Sequence, residues 1–194
     1  MINLFFTKII STKPHIYWAA AIFTIVLATF STPGTAHVVL EYRVANAGSY
    51  YKATFKVGHG CGTAPVKQIV VTLPAGVQDA KPMPKAGWAL DITREKLAQP
   101  ITDHGWVVTE DVSRITWTAK TPADYLQNAW FDEFSLQAKL PTQAGILYWP
   151  VSQICDEGRV DWTQIPQLGQ KLSDLKNPAV VLELMPTAGG EHKH

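Results

Sequence analysis

Hydrophobic and polar positions along most of the chain recur with a period of two, which is the signature of half-buried β-strands. From His37 to Val44, Val38, Leu40, Tyr42 and Val44 fall on one face, and His37, Glu41 and Arg43 on the other. After a turn at Ala45–Gly48, Tyr51, Ala53, Phe55 and Val57 alternate with Tyr50, Lys52, Thr54 and Lys56. Val66–Leu73 is a β-branched run that stops at Pro74. An irregular connection containing Pro82, Pro84 and Gly87 leads into a strand over Trp88–Thr93. Trp106–Thr109 and Val112–Thr118 read as a hairpin around Glu110-Asp111, and Pro122–Asn128 as a loop or a single helical turn. Further strands are predicted over Trp130–Lys139, Leu147–Cys155, Arg159–Trp162 and Val180–Leu184, with a short helix over Gln167–Lys176. Asp156-Glu157-Gly158 is expected to make the turn into Arg159, and residues 187–194 are expected to form a disordered tail. Seven to nine short strands between Gly/Pro turns imply an all-β chain: a single antiparallel β-sandwich of the immunoglobulin-like kind, with a closed barrel as the alternative.

The first 36 residues break this pattern. Lys8 and Lys13 precede an uncharged stretch from Ile16 to Phe30, after which Pro33 and Gly34 lead to Ala36. The apolar run is short for a membrane-spanning helix, which needs about 20 residues. A small residue at positions 34 and 36 fits an export signal, residues 1–36, cut after Ala36. The cut would leave 158 of the 194 residues and make His37 the N-terminus. It would also remove two of the 17 basic residues and none of the 16 acidic ones, leaving a charge of about −1. No basic patch or charge run marks a nucleic-acid or anionic-membrane partner. The expected product is one domain over 37–186, periplasmic or secreted, with no membrane association after cleavage. Its two cysteines, Cys61 and Cys155, read as one disulfide in an oxidising compartment, with a thiol pair on a soft metal as the alternative.

The sequence contains no nucleophile elbow, phosphate loop, zinc-protease helix motif or dinucleotide fingerprint. The adjacent carboxylates Asp132/Glu133 and Asp156/Glu157 would point to opposite sides of a strand and cannot act on one substrate together. Hydrolytic chemistry therefore has no support. Five histidines remain after the cut: His37, His59, His104, His192 and His194. As the N-terminal residue, His37 would offer a free amine with a pKa of about 8 beside its ring. Amine and Nδ1 can close a chelate on one ion, and that nitrogen-rich pair suits Cu(II). Without the metal, His37 would be an ordinary terminal residue.

Several segments taken together resemble the YcnI-like copper-binding domain family, from about His37 to about Pro186. They are Ala36-His37-Val38, Ala47-Gly48-Ser49-Tyr50-Tyr51-Lys52, His59-Gly60-Cys61, the stretch from Lys81 to Trp88, Phe131-Asp132-Glu133-Phe134, and Gly158-Arg159-Val160-Asp161-Trp162. The resemblance implies an exported β-sandwich that binds Cu(II) through one terminal histidine. His37 would supply amine and Nδ1. Trp162 would lie beside the metal without being a true ligand, shielding an axial position and limiting redox cycling. The pattern departs at Val44, where related sequences tend to carry glutamate. Glu41 is nearby, but four strand residues span about 13 Å, so co-ligation with His37 would need a bend. Asp132, Glu133 or water are the other candidates for the missing oxygen donor. His59 is either a second ligand or a loop residue held by the disulfide. Asp132, on an apolar face, is expected to be held by a hydrogen bond to a loop. His192 and His194 belong to the tail, and Trp88, Trp117, Trp130 and Trp149 to packing.

The expected role is non-enzymatic: delivery, storage or homeostasis of copper, with an envelope copper chaperone or importer as partner. The rivals are an oxidative copper enzyme, which would need a second histidine such as His59, and a metal-free envelope module that binds a protein through a sandwich face.

Overall fold

The computed structural model describes residues 37–103 and 105–187. The predicted export signal and its cleavage site at Ala36, together with His104, His192 and His194, lie outside the described residues. In chain order the described strands are β1 (Val39–Leu40), β2 (Val44–Asn46), β3 (Tyr50–Val57), β4 (Val66–Thr72), β5 (Gln78–Pro82), β6 (Trp88–Asp103), β7 (Trp106–Ala119), β8 (Asp132–Lys139), β9 (Gly145–Trp149), β10 (Val151–Cys155), β11 (Arg159–Trp162) and β12 (Val180–Met185). They form a four-stranded sheet β1-β3-β8-β5, a five-stranded sheet β11-β10-β4-β7-β6 and a three-stranded sheet β2-β12-β9.

The alternation that predicts β3 also explains its burial: Tyr51, Ala53, Phe55 and Val57 all point into the core. Phe55 pairs with Phe134 across the β3–β8 ladder. Ile69, Val71, Ile115, Trp117 and Val151 bring in the buried face of the five-stranded sheet. Aromatic edge-to-face contacts join the three sheets. Trp88 and Trp117 meet Phe134 at 4.9 and 5.7 Å between ring centroids, and Trp149 of β9 meets Phe55 at 5.7 Å. The sulfurs of Cys61 and Cys155 are bonded, with Cα atoms 5.9 Å apart, so the disulfide forms and the thiol-pair alternative is excluded.

Several predicted strands are divided or moved. His37–Val44 is not one strand. The Glu41 amide still donates to Thr54 O of β3, but Arg43 O accepts from Glu183 of β12, so the segment leaves one sheet for another. Val38 and Leu40 are buried as expected, while Val44 is 54% exposed and Tyr42 is also exposed. β2 then runs parallel to β12, with Leu184 opposite Ala45, whereas the other pairings between the described strands are antiparallel. Leu147–Cys155 is broken at Pro150, which has no amide hydrogen to continue a ladder; β9 pairs with β12, and β10 with β4 and β11.

Glu110-Asp111 does not turn the chain. β7 runs through it, and the hairpin with β6 closes between Asp103 and Trp106, where Gly105 takes a φ of 83°. The connection before Gly87 contains an extra strand, β5, on the edge beside β8. Trp130 precedes β8 and is 60% exposed rather than packed. The helix over Gln167–Lys176 contracts to one 3-10 turn at Leu172–Asp174, whereas the predicted turn after Pro122 forms at Pro122–Asp124. Thr54, assigned to the polar face of β3, is buried because its hydroxyl pairs with Ser135 Oγ of β8 at 3.0 Å.

Candidate functional site

His37 lies two residues before β1, and its half-buried ring reaches the far end of β11. The imidazole and the Trp162 indole are 4.8 Å apart between centroids, with their planes inclined by 49°. Trp162 is the last residue of β11, and pairing with Val151 of β10 fixes its position. The indole is only 4% exposed, so its N–H requires an internal acceptor. It donates to Gln153 Oε1 at 3.3 Å. Gln153 in turn donates through Nε2 to His59 O at 2.5 Å. His59 Nδ1 lies 2.5 Å from Gly60 O. A carbonyl oxygen can only accept, so this contact puts the proton on Nδ1 and leaves Nε2 as the nitrogen of His59 able to bind a metal.

The loop bearing His59 is tightly held. Cys61 is bonded to Cys155 at the end of β10. Gly60 N donates to Asn128 Oδ1 at 3.0 Å. Cys61 and Ala64 exchange backbone hydrogen bonds of 3.1 and 3.2 Å. Beside Trp162, Asp161 points away to Ser152 Oγ and Arg159. The Arg159 guanidinium, helped by the Ser152 hydroxyl, holds the Asp161 carboxyl below the usual carboxylate range.

Among the described residues, no three His, Cys, Asp or Glu side chains converge on a point that could hold a metal. His37, Glu41 and His59 thus form no three-ligand cluster. Glu41 is exposed, and its charge acts on Tyr51. Asp132 is held by Lys85 Nζ at 2.7 Å in the loop before Gly87 and accepts from the Glu133 amide at 2.8 Å, the structural role expected of it. Glu133 faces Lys56 at 3.8 Å. Val44 is at the start of β2 and supplies no donor.

Gln153 was not singled out by sequence. Its signal was present: it shares a strand face with Val151 and Cys155, an inward position where an amide is out of place. The donor set fits a small nitrogen-seeking cation. A cut before His37 would give that residue a free amine on Cα as well as Nδ1 on the ring, close enough to chelate one ion together. The Trp162 N–H is already engaged by Gln153, so the indole turns only carbon and π surface toward the imidazole.

A family model described as a domain of unknown function, DUF1775, matches residues 37–184. No protein of curated function matches the chain. Among solved structures, an uncharacterized protein from Nocardia farcinica with an immunoglobulin-like fold is 26% identical, with a TM-score of 0.60 over 78% of this chain and 99% of that one. The two share the immunoglobulin-like sandwich. The seventh ScaB type I cohesin from Pseudobacteroides cellulosolvens aligns over 81% of this chain and 97% of its own, at 11% identity and a TM-score of 0.38, and bears no weight here.

Proposed function

The chain belongs to the DUF1775 family, and on that footing we propose that its exported form, beginning at His37, is a YcnI-like protein that binds one Cu(II) ion. The observation that carries the proposal is the 4.8 Å contact between the His37 imidazole and the buried Trp162 indole. A frayed terminal histidine would have no reason to lie against a tryptophan that the core holds in place. His37 would supply its amine and Nδ1, which are strong donors for Cu(II) once the amine proton leaves. Trp162 would cover one side of the ion without ligating it and keep water from that position. Bound there, copper would be held as cargo in the periplasm or outside the cell, for delivery to or exchange with an envelope copper chaperone or importer.

Carrier chemistry is favoured over oxidative chemistry because the ties on the His59 loop favour a structural role for that residue. His59 is tied by its backbone to Gln153 and by Nδ1 to Gly60. Val44 stands where related sequences tend to carry glutamate, so a remaining coordination position would be filled by another carboxylate such as Glu41, or by water.

Titration of the protein starting at His37 with Cu(II), followed by electron paramagnetic resonance, tests this reading. The expected result is one equivalent of copper with nitrogen hyperfine structure. A protein with one extra residue before His37 should lose that site. Equal binding by both forms would rule out the terminal-amine chelate, and no binding by either would leave the fold as a metal-free module.

A further inference from the structure

Resting on the copper reading of His37, we infer that Gln153 is the positioning residue that sets the Trp162 indole against the histidine. Gln153 is 1% exposed on the inner face of β10. A buried amide is retained only where its polar atoms are met, and here both ends are assigned by chemistry. Trp162 Nε1 can only donate, so it must face Oε1; His59 O can only accept, so it must face Nε2. The amide therefore has one orientation. It bridges two parts of the chain that the ladders alone do not join: the end of β11 and the loop at His59.

That loop is also the part of the chain bonded covalently to β10. Cys155 and Gln153 are two residues apart on the same face of β10, and Cys61 and His59 two residues apart in the loop. The disulfide and the Gln153–His59 hydrogen bond thus act as parallel ties. They hold the amide still, and the amide holds the polar edge of the indole. The π surface of that indole is what His37 meets. Removing the amide would leave the indole N–H buried and unpaired, a state the ring would relieve by turning toward another acceptor and away from the imidazole. Partners of metal ligands typically alter affinity by 10- to 100-fold without touching the ion, and Gln153, acting through an indole that is no ligand, should fall at the low end of that range.

The test uses Gln153→Met, which keeps the length of the side chain and removes both hydrogen bonds. The first readout is metal-free: proton NMR of the His37 ring in protein beginning at His37. In the wild type, the indole ring current displaces these resonances from those of a free histidine. In folded Gln153→Met that displacement should be lost, and Cu(II) affinity should fall roughly 10-fold with an altered paramagnetic resonance signature. Unchanged His37 resonances in a folded variant overturn the proposal. If the variant does not fold, the wild type decides through nuclear Overhauser contacts between the Gln153 side-chain amide and the Trp162 indole proton. Their presence supports the bridge, and their absence overturns it. Should no form take up Cu(II), the copper reading fails, while the metal-free resonances still decide the role of Gln153.

Discussion

Tyr51 shows how one side chain can tie stability to pH. Its ring lies in the core at 8% exposure, and its hydroxyl donates to Tyr42 O. Burial, with a smaller contribution from the Glu41 carboxylate, pushes its pKa from 10.0 up to about 12. Because the folded value is the higher one, the neutral phenol favours the native state. That contribution is whole below about pH 10, falls as the unfolded chain ionises first, and is gone above about pH 12. The two-unit gap bounds it at about 2–3 kcal/mol. Wild type should therefore lose stability between pH 10 and 12 relative to Tyr51→Phe, as measured by urea unfolding at each pH; parallel curves would place the phenol in water. The burial of Tyr51 is legible from alternation alone, as is the choice of His37 from its place after Ala36. The contact between His37 and Trp162 is not, because period-two patterning says which face a residue takes and nothing about which distant residue it meets. For Gln153 the alternation does mark an amide at an inward position, but its two partners, Trp162 and the His59 loop, are distant in sequence and outside what the pattern can show.

At the scale of elements, the loop from Gly58 to Ala64 is closed by a tight turn at Gly60. A Cβ added at Gly60 would lie 1.7 Å from Ala64 O, inside the backbone-bonded turn between Cys61 and Ala64. At Gly58 it would meet nothing within 4 Å. Gly60→Ala must push the turn open, with an expected loss on the order of 3 kcal/mol, whereas Gly58→Ala should be close to neutral. Denaturant midpoints of the two variants check this, and equal midpoints would show that the turn yields freely. Elsewhere the legibility of elements divides along a physical line. β3, β4, β11 and β12 follow their patterns because each stays within one sheet. The segments at Glu41 and Pro150 defeat prediction because the apolar rhythm continues while the hydrogen-bonding partners change. A proline lacking its amide is a visible break at Pro150. Glu41 has no such mark, and only the ladder with β12 shows where the chain has gone.

Across the whole molecule, the sandwich was legible from the number and spacing of strands, but the third sheet and its parallel pair were not, since strand count does not specify sheet membership. The disulfide was legible from two cysteines and the expectation of export, and it binds distant parts of the sequence at close quarters. Cys61 and Cys155 are 94 residues apart, yet β10 and β4 already pair, with Cys155 opposite Val66. In the folded state the ladder already holds β4 beside β10, and the bond adds a tie only for the loop at Cys61. Its main effect must fall on the unfolded chain, where a loop of that length is closed at a cost of about 4.5 kcal/mol in chain entropy. Replacing both cysteines by alanine should therefore leave the sheet pairing intact, lower the unfolding free energy by roughly that amount, and raise the urea m-value because the unlinked chain expands further. Urea unfolding with a far-ultraviolet signal measures both quantities. A loss below about 2 kcal/mol with an unchanged m-value would mean that the unfolded chain already keeps the two ends together, so that the bond does little more than tie the loop at Cys61.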